Sequence, residues 1–160
     1  MESENVTQQS SSEYVHETDE SLHMYLRLHN PASGAVEEVP PILPHSNAPD
    51  HAIRFPQRVA QLLKTLQPKR TNNCALDIGC AVGGSSFELA KSYDHVDAFD
   101  HSSSFISSAK RMQKGDNVMF KIPIEADLYE TVKAMHEVGV TPHIRSKVSF
   151  SQEMPVRLPT

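Results

Sequence analysis

"ALDIGCAVGGSS", residues 75–86, is an apolar run that stops on an aspartate and then breaks into glycines. Residues 74–79, "CALDIG", read as a short buried strand, and the glycines after it as a tight turn into a helix near Gly84–Ser92. Downstream, "HVDAF" reads as a second strand ending at Asp100, and "SSSFISSAKRMQK" as a second helix closed by Gly115. Strand, helix, strand, helix at this close spacing is the pattern of an α/β fold with a parallel sheet and right-handed crossovers.

In such a unit, glycines after the first strand let backbone approach a ligand at the helix N-terminus. Gly79, Ala81 and Gly83 form a G-x-A-x-G series, equally readable through Gly84 as G-x-A-x-x-G, and a ligand-free tight turn has the same appearance. Two acids sharpen the reading. Asp77 stands two residues before Gly79 inside an otherwise apolar strand. An unpartnered carboxylate there would cost several kcal/mol, so nearby donors or a ligand must satisfy it. A pyrophosphate over the turn would be repelled by that charge, whereas a ligand with an ammonium and a sulfonium group and no phosphate would be attracted. S-adenosylmethionine is such a ligand. Asp100, 21 residues past Gly79 at the end of the second strand, is placed to accept both ribose hydroxyls. The pair favours S-adenosylmethionine over NAD, and an NAD-dependent oxidoreductase stays as the alternative.

Working outward, Thr18 opens a helix with Asp19 and Glu20 in its first turn and Leu22, Tyr25 and Leu26 on one face, stopped by Asn30-Pro31. Five prolines mark residues 31–51 as an extended connector. A further helix begins near Pro56, carries Val59, Leu62, Leu63 and Leu66 on one face and ends at Pro68. Beyond Gly115 the spacing of Leu128, Val132 and Met135 predicts a helix over 127–138, and "RSKVSF" a third strand. Residues 1–13 are polar and low in complexity, predicted to be a disordered acidic tail. The domain plan is therefore 1–13 tail, 14–70 helical extension with Pro-rich connector, and 71–160 α/β domain.

The chain has 160 residues, 38% of them hydrophobic and 6% aromatic, which bounds it to one domain with an appendage and a modest core. Of the formal charge of −5, residues 1–20 carry −6, which leaves the other 140 residues at +1. With no basic stripe, nucleic-acid binding is not expected. No membrane span or signal segment is read, and Asn5-Val6-Thr7 is taken as a chance glycosylation sequon. Cys74 and Cys80 at the two ends of a strand would lie roughly 20 Å apart, too far for a disulfide, and two free thiols suggest a cytoplasmic protein. The nine histidines form no helix-spaced pair; His23, His29, His136 and His143 are read as surface residues and no metal site is expected.

The stretch "ALDIGCAVGGSSFELAKSYDHVDAFDHSSSFISSA" closely resembles the C-terminal methyltransferase domain of ovothiol biosynthesis enzymes, the 4-mercaptohistidine N1-methyltransferases, with Cys80 and Ala81 the unusual members of the shared turn. "HETDESLHMYLRLHN" is similar to the family's leading helix, "RFPQRVAQLL" to its pre-strand helix, and "KVSFSQEMPVRLP" to its third-strand segment. The resemblance covers most of 14–159 and is strong over 74–109. It implies the N-terminal half of a Rossmann-like S-adenosylmethionine-dependent methyltransferase fold, strands one to three, with a helical N-terminal extension. Asp77, Gly79, Cys80, Ala81 and Gly83 would then line the methionine part of the cofactor and Asp100 the ribose, with His101 a further cofactor-binding candidate; Tyr25 and Arg58 are candidates for closing the pocket or pairing a substrate carboxylate. Met154 falls where the family has an adenine-binding Asp, which leaves that task to Glu153.

The implied reaction is methyl transfer to an imidazole nitrogen of 5-thiohistidine, a small-molecule substrate, with no catalytic base assigned. Against the seven-strand sheet of that fold, this chain is expected to supply three strands, a truncated form. The first strand would keep an unpaired apolar edge, favouring marginal stability, self-association or docking on a protein partner. A non-catalytic remnant that binds through this edge is accordingly the competing function.

Overall fold

The computed structural model describes residues 17–30, 54–66, 73–136 and 139–153. The predicted acidic tail at 1–13, the connector at 31–51, the stop at Pro68 and Met154 lie outside the described residues. The described elements are, in chain order, α1 (Asp19–His29), α2 (Phe55–Leu66), β1 (Cys74–Ile78), α3 (Gly84–Leu89), β2 (His95–Phe99), α4 (Ser103–Lys114), β3 (Met119–Glu125), β4 (Leu128–Lys133), α5 (Pro142–Arg145) and β5 (Val148–Ser151). β1, β2 and β5 form a parallel sheet in the order β1-β2-β5, with Asp77 beside Ala98 and Ala98 beside Phe150. This is the mixed α/β architecture read from the sequence, with "RSKVSF" supplying its third strand.

The helix signals act as their chemistry dictates. Thr18 accepts from the Ser21 amide at 3.2 Å and Ser102 from the Phe105 amide at 3.2 Å, satisfying N–H groups left open at the starts of α1 and α4. Gly115, at φ 87°, closes α4 in the left-handed conformation that glycine tolerates best. Beneath these helices, Phe87, Phe105, Phe120, Met112, Val96 and Val148 pack into one core with Leu26 of α1.

Three expectations are corrected. The helix expected over 127–138 is not formed in its described part, 127–136: β3 and β4 form an antiparallel hairpin that pairs Phe120 with Val132 and turns at Ala126, φ 46°. The alternation Val118, Phe120, Ile122 buried against Met119 and Lys121 exposed is a period of two, and it outweighs the helical spacing of Leu128 and Val132. Secondly, β1 is not a buried strand: Cys74 is exposed and Ile78 is 60% exposed, because β1 forms the sheet edge among the described residues.

The third correction concerns α2. Its apolar stripe faces outward, with Phe55, Val59, Leu62, Leu63 and Leu66 exposed, while Gln57 and Ala60 are buried. Close approach explains the inversion. A Cβ built on Gly84 at the start of α3 would lie 2.6 Å from Gln57 Nε2 and 2.8 Å from the His29 carbonyl oxygen. The side of α2 that meets α3 therefore has room only for small or adaptable groups.

Gly84→Ala should destabilise the fold by about 1–3 kcal/mol, because backbone and not merely a flexible side chain must move. Gly79→Ala, with open space around its Cβ, should cost only about 1–2 kcal/mol for its left-handed φ of 75° and leave the α2–α3 packing intact. Urea unfolding with near-ultraviolet circular dichroism compares them; equal tertiary spectra for both variants would contradict the tight α2–α3 contact.

Candidate functional site

Because β1 and β2 run parallel, the turns that follow them lie side by side. The amides of Gly79 and Cys80 both donate to the Phe99 carbonyl, at 2.8 and 3.0 Å, which ties the glycine turn to the last residue of β2. Ala81 then takes a left-handed φ of 48°, unusual for a residue with a Cβ. Its N–H donates to Asp100 Oδ2 at 2.9 Å, and Asp100 Oδ1 accepts from the Ser102 amide at 2.9 Å. One carboxylate thus braces the turn after β1 and the entrance to α4.

Asp77 answers the question raised by a charge inside an apolar strand. Its Oδ2 accepts from the hydroxyls of Ser85 at 2.7 Å and Ser86 at 2.6 Å, both in the first turn of α3. The carboxylate also stands at the N-terminal end of that helix, where a negative charge is favoured. Between the two acids, Cys80 is completely buried. Burial foremost, then the charges of Asp77 and Asp100, push its thiol far up, so it stays protonated and is no nucleophile.

A cleft of about 430 Å³ opens beside these groups. Gly79 and Ala81 wall it from the turn, Phe99, Asp100 and His101 from the end of β2, and Tyr25 and Phe105 from α1 and α4. The Tyr25 and Phe105 rings meet at 4.6 Å with a 48° tilt, and His101 stands edge-on to Phe99 at 4.9 Å. His101 is shared with a second cleft of about 560 Å³ bounded by Lys110, Ser151, Gln152 and Glu153.

Of the residues singled out from the sequence, Gly79, Ala81, Asp100, His101 and Tyr25 meet in one cleft. Asp77, Cys80 and Gly83 lie outside its lining: Asp77 is bound to α3, Cys80 is enclosed, and Gly83 packs where a Cβ would fall 2.7 Å from Phe150. Arg58 is exposed on α2 and lines neither cleft. Glu153 borders the second cleft.

Sequence reasoning missed four contributors. Ser85 and Ser86 were legible as hydroxyls directly after the turn, facing back toward Asp77. Glu17, next to the Thr18 cap, binds Ser103 and Ser104 of α4. His29, read as a surface residue, is buried, with its ring 5.9 Å from that of Tyr25 and its carbonyl accepting from Gln57 Nε2. His136 is likewise not a surface residue; it is half-buried, edge-on to Phe87 at 4.8 Å and 2.8 Å from the Met112 carbonyl. Among the described residues no group of three or more His, Cys, Asp or Glu side chains is arranged to hold a metal ion. No described helix is long and apolar enough to cross a membrane.

No protein-family model and no curated protein matches this chain. A solved structure of Haemonchus contortus phosphoethanolamine N-methyltransferase 1, in complex with phosphoethanolamine and S-adenosylhomocysteine, is similar at 18% identity and a TM-score of 0.36. The match covers 66% of this chain and 16% of that one, so the chain spans about a sixth of the length of the protein it matches.

Burial pushes the His29 imidazole down to about 4, against a smaller upward pull from Asp100, while the unfolded chain protonates it near 6.5. Neutral His29 therefore stabilises the fold fully above pH 6.5, and the contribution, up to ~3 kcal/mol, is lost as pH falls from 6.5 toward 4. The urea midpoint should drop through that window, less steeply in His29→Gln. An identical pH slope in the variant would contradict the burial of a neutral imidazole.

Proposed function

We propose that this chain carries the adenosyl-binding half of an S-adenosylmethionine-dependent N-methyltransferase. The observation that supports the reading most is electrostatic. Two carboxylates hold the two sides of the glycine turn, and no Lys or Arg is among the described residues lining the cleft beside it. A pyrophosphate in the cleft would meet the Asp100 carboxylate with no described Lys or Arg in the lining to offset it, and the Asp77 charge behind the turn would add to the repulsion. An ammonium and a sulfonium fit the same field.

The polar groups suit the rest of the ligand. Each Asp100 oxygen accepts one backbone N–H and keeps a lone pair, so the carboxylate can still take the ribose hydroxyls. Gly79, with nothing within 4 Å of a would-be Cβ, lets backbone approach the methionine portion. Tyr25, Phe105 and His101 supply apolar and aromatic walls. When bound, S-adenosylmethionine supplies an electrophilic methyl group on a positively charged sulfur. The chain's own residues orient that group and hold the sulfur's charge in the cleft that Asp100 lines, with the Asp77 charge acting from behind the turn, chiefly a proximity effect.

For the acceptor, the resemblance of residues 74–109 to mercaptohistidine methyltransferases points to the imidazole of 5-thiohistidine, in ovothiol biosynthesis. There the ring nitrogen forms the new bond to carbon, the carbon–sulfur bond breaks with its electron pair going to sulfur, and the imidazolium loses its proton to solvent or a base. A cytoplasmic location belongs to the same reading, on the strength of the two free thiols. A second reading, a non-catalytic chain that binds a protein partner, is favoured by two features of the described residues, the β1 edge and the outward apolar face of α2.

Calorimetric titration should show S-adenosylhomocysteine binding and no NAD binding. Asp77→Asn should weaken S-adenosylmethionine at least ~10-fold through loss of the charge, while Asn still accepts from the serine hydroxyls. NAD binding, or an unchanged affinity in Asp77→Asn, would overturn the cofactor assignment. Methyl transfer to thiohistidine supports the enzyme; cofactor binding without transfer supports the partner-binding reading.

A further inference from the structure

We propose that Glu17 is a positioning residue, clamping the start of α1 to the start of α4 so that Tyr25 is held in the wall of the cleft. The proposal builds on the adenosyl reading of that cleft and adds a residue that does not touch it.

Glu17 reaches across 86 residues of sequence. Its Oε1 accepts from the Ser103 amide at 2.8 Å, and its Oε2 from the Ser103 hydroxyl at 2.9 Å and the Ser104 amide at 3.3 Å. These are the first two N–H groups of α4; the next two go to the Ser102 hydroxyl and carbonyl, at 3.2 and 3.1 Å. Burial is the largest single influence on the Glu17 carboxyl and pushes it up, but the hydrogen bonds from Ser103, Ser102 and Ser104 together outweigh it and hold the carboxyl below the usual carboxylate range, so the clamp is charged at neutral pH. Ser102 already caps α4 from the segment that follows β2, so the distant carboxylate adds more than a cap.

What it adds is a fixed relation between two helices. Thr18, the next residue, caps α1 through the Ser21 amide. Neighbouring residues of one chain therefore seal the N-termini of α1 and α4 together. Tyr25 lies seven residues on from Thr18, about 10 Å along the helix, with its ring on Phe105 two residues into the end that Glu17 seals. At its far end α1 is tied through the Leu28 carbonyl to the Arg54 amide, at 2.9 Å, and through the His29 carbonyl to Gln57. α1 thus spans one wall between two anchors, and at 11 residues it is too short to hold its own shape. Loss of the Glu17 anchor frees the end nearer α4 and leaves the α2 anchor in place.

The test compares the full chain with Glu17→Ala and Glu17→Gln by hydrogen exchange and by stopped-flow dissociation of S-adenosylhomocysteine. Glu17→Ala should exchange the α1 amides at least ~5-fold faster and release the ligand roughly 10-fold faster, with Glu17→Gln intermediate because it keeps one acceptor oxygen. The β2 and β5 amides should keep their protection, which separates a freed helix from general unfolding. Unchanged α1 exchange would overturn the clamp, and faster exchange with unchanged ligand release would overturn its positioning role. Should the unaltered chain take up no S-adenosylhomocysteine, the adenosyl reading fails, while the exchange comparison still decides whether the clamp exists.

Discussion

The carboxylate of Asp100 is the constraint on which the described site depends. Placed at the end of β2, it accepts the Ala81 amide with one oxygen and the Ser102 amide with the other. The first bond helps to offset the strain of the left-handed Ala81, and the second aligns the entrance to α4 with the end of β2. The parallel pairing of β1 with β2 makes this bridge possible, since it brings the glycine turn level with the Phe99 carbonyl and with Asp100.

Asp77 extends the same logic to the other side of the turn. A charge in an apolar strand survives because two hydroxyls from α3 meet one of its oxygens. The pair of acids then gives the two sides of the turn negative charges, which suit a cation and disfavour a phosphate. Fold stability and ligand preference therefore rest on the same two side chains. Removing either charge affects both, which is why conservative amide variants are more informative than alanine.

Much of this was legible in the sequence. Thr18, Ser102 and Gly115 act at the helix ends that their chemistry assigns, and "CALDIG" and "HVDAF" are strands. The clustering of Gly79, Ala81, Asp100 and His101 followed from a turn and a strand end that must adjoin in a parallel unit. What was hidden depended on long-range packing. The β3–β4 hairpin turns on Ala126-Asp127, which lacks the Asn-Gly signature, so its alternating Val118, Phe120 and Ile122 were the sole local signal. The outward face of α2 is set by the contact of Gln57 with His29 and Gly84, which no periodicity encodes. Glu17 reads as one more acid in a negative segment until Ser103 is brought to it.

The most direct test of the account is a titration of the isotopically labelled chain with S-adenosylhomocysteine, followed by amide chemical shifts. Saturable shifts should concentrate at Gly79, Ala81, Asp100 and His101, with Ala81 N–H keeping its hydrogen-bonded position. Shifts spread elsewhere, or none at concentrations that saturate adenosyl-binding folds, would contradict it.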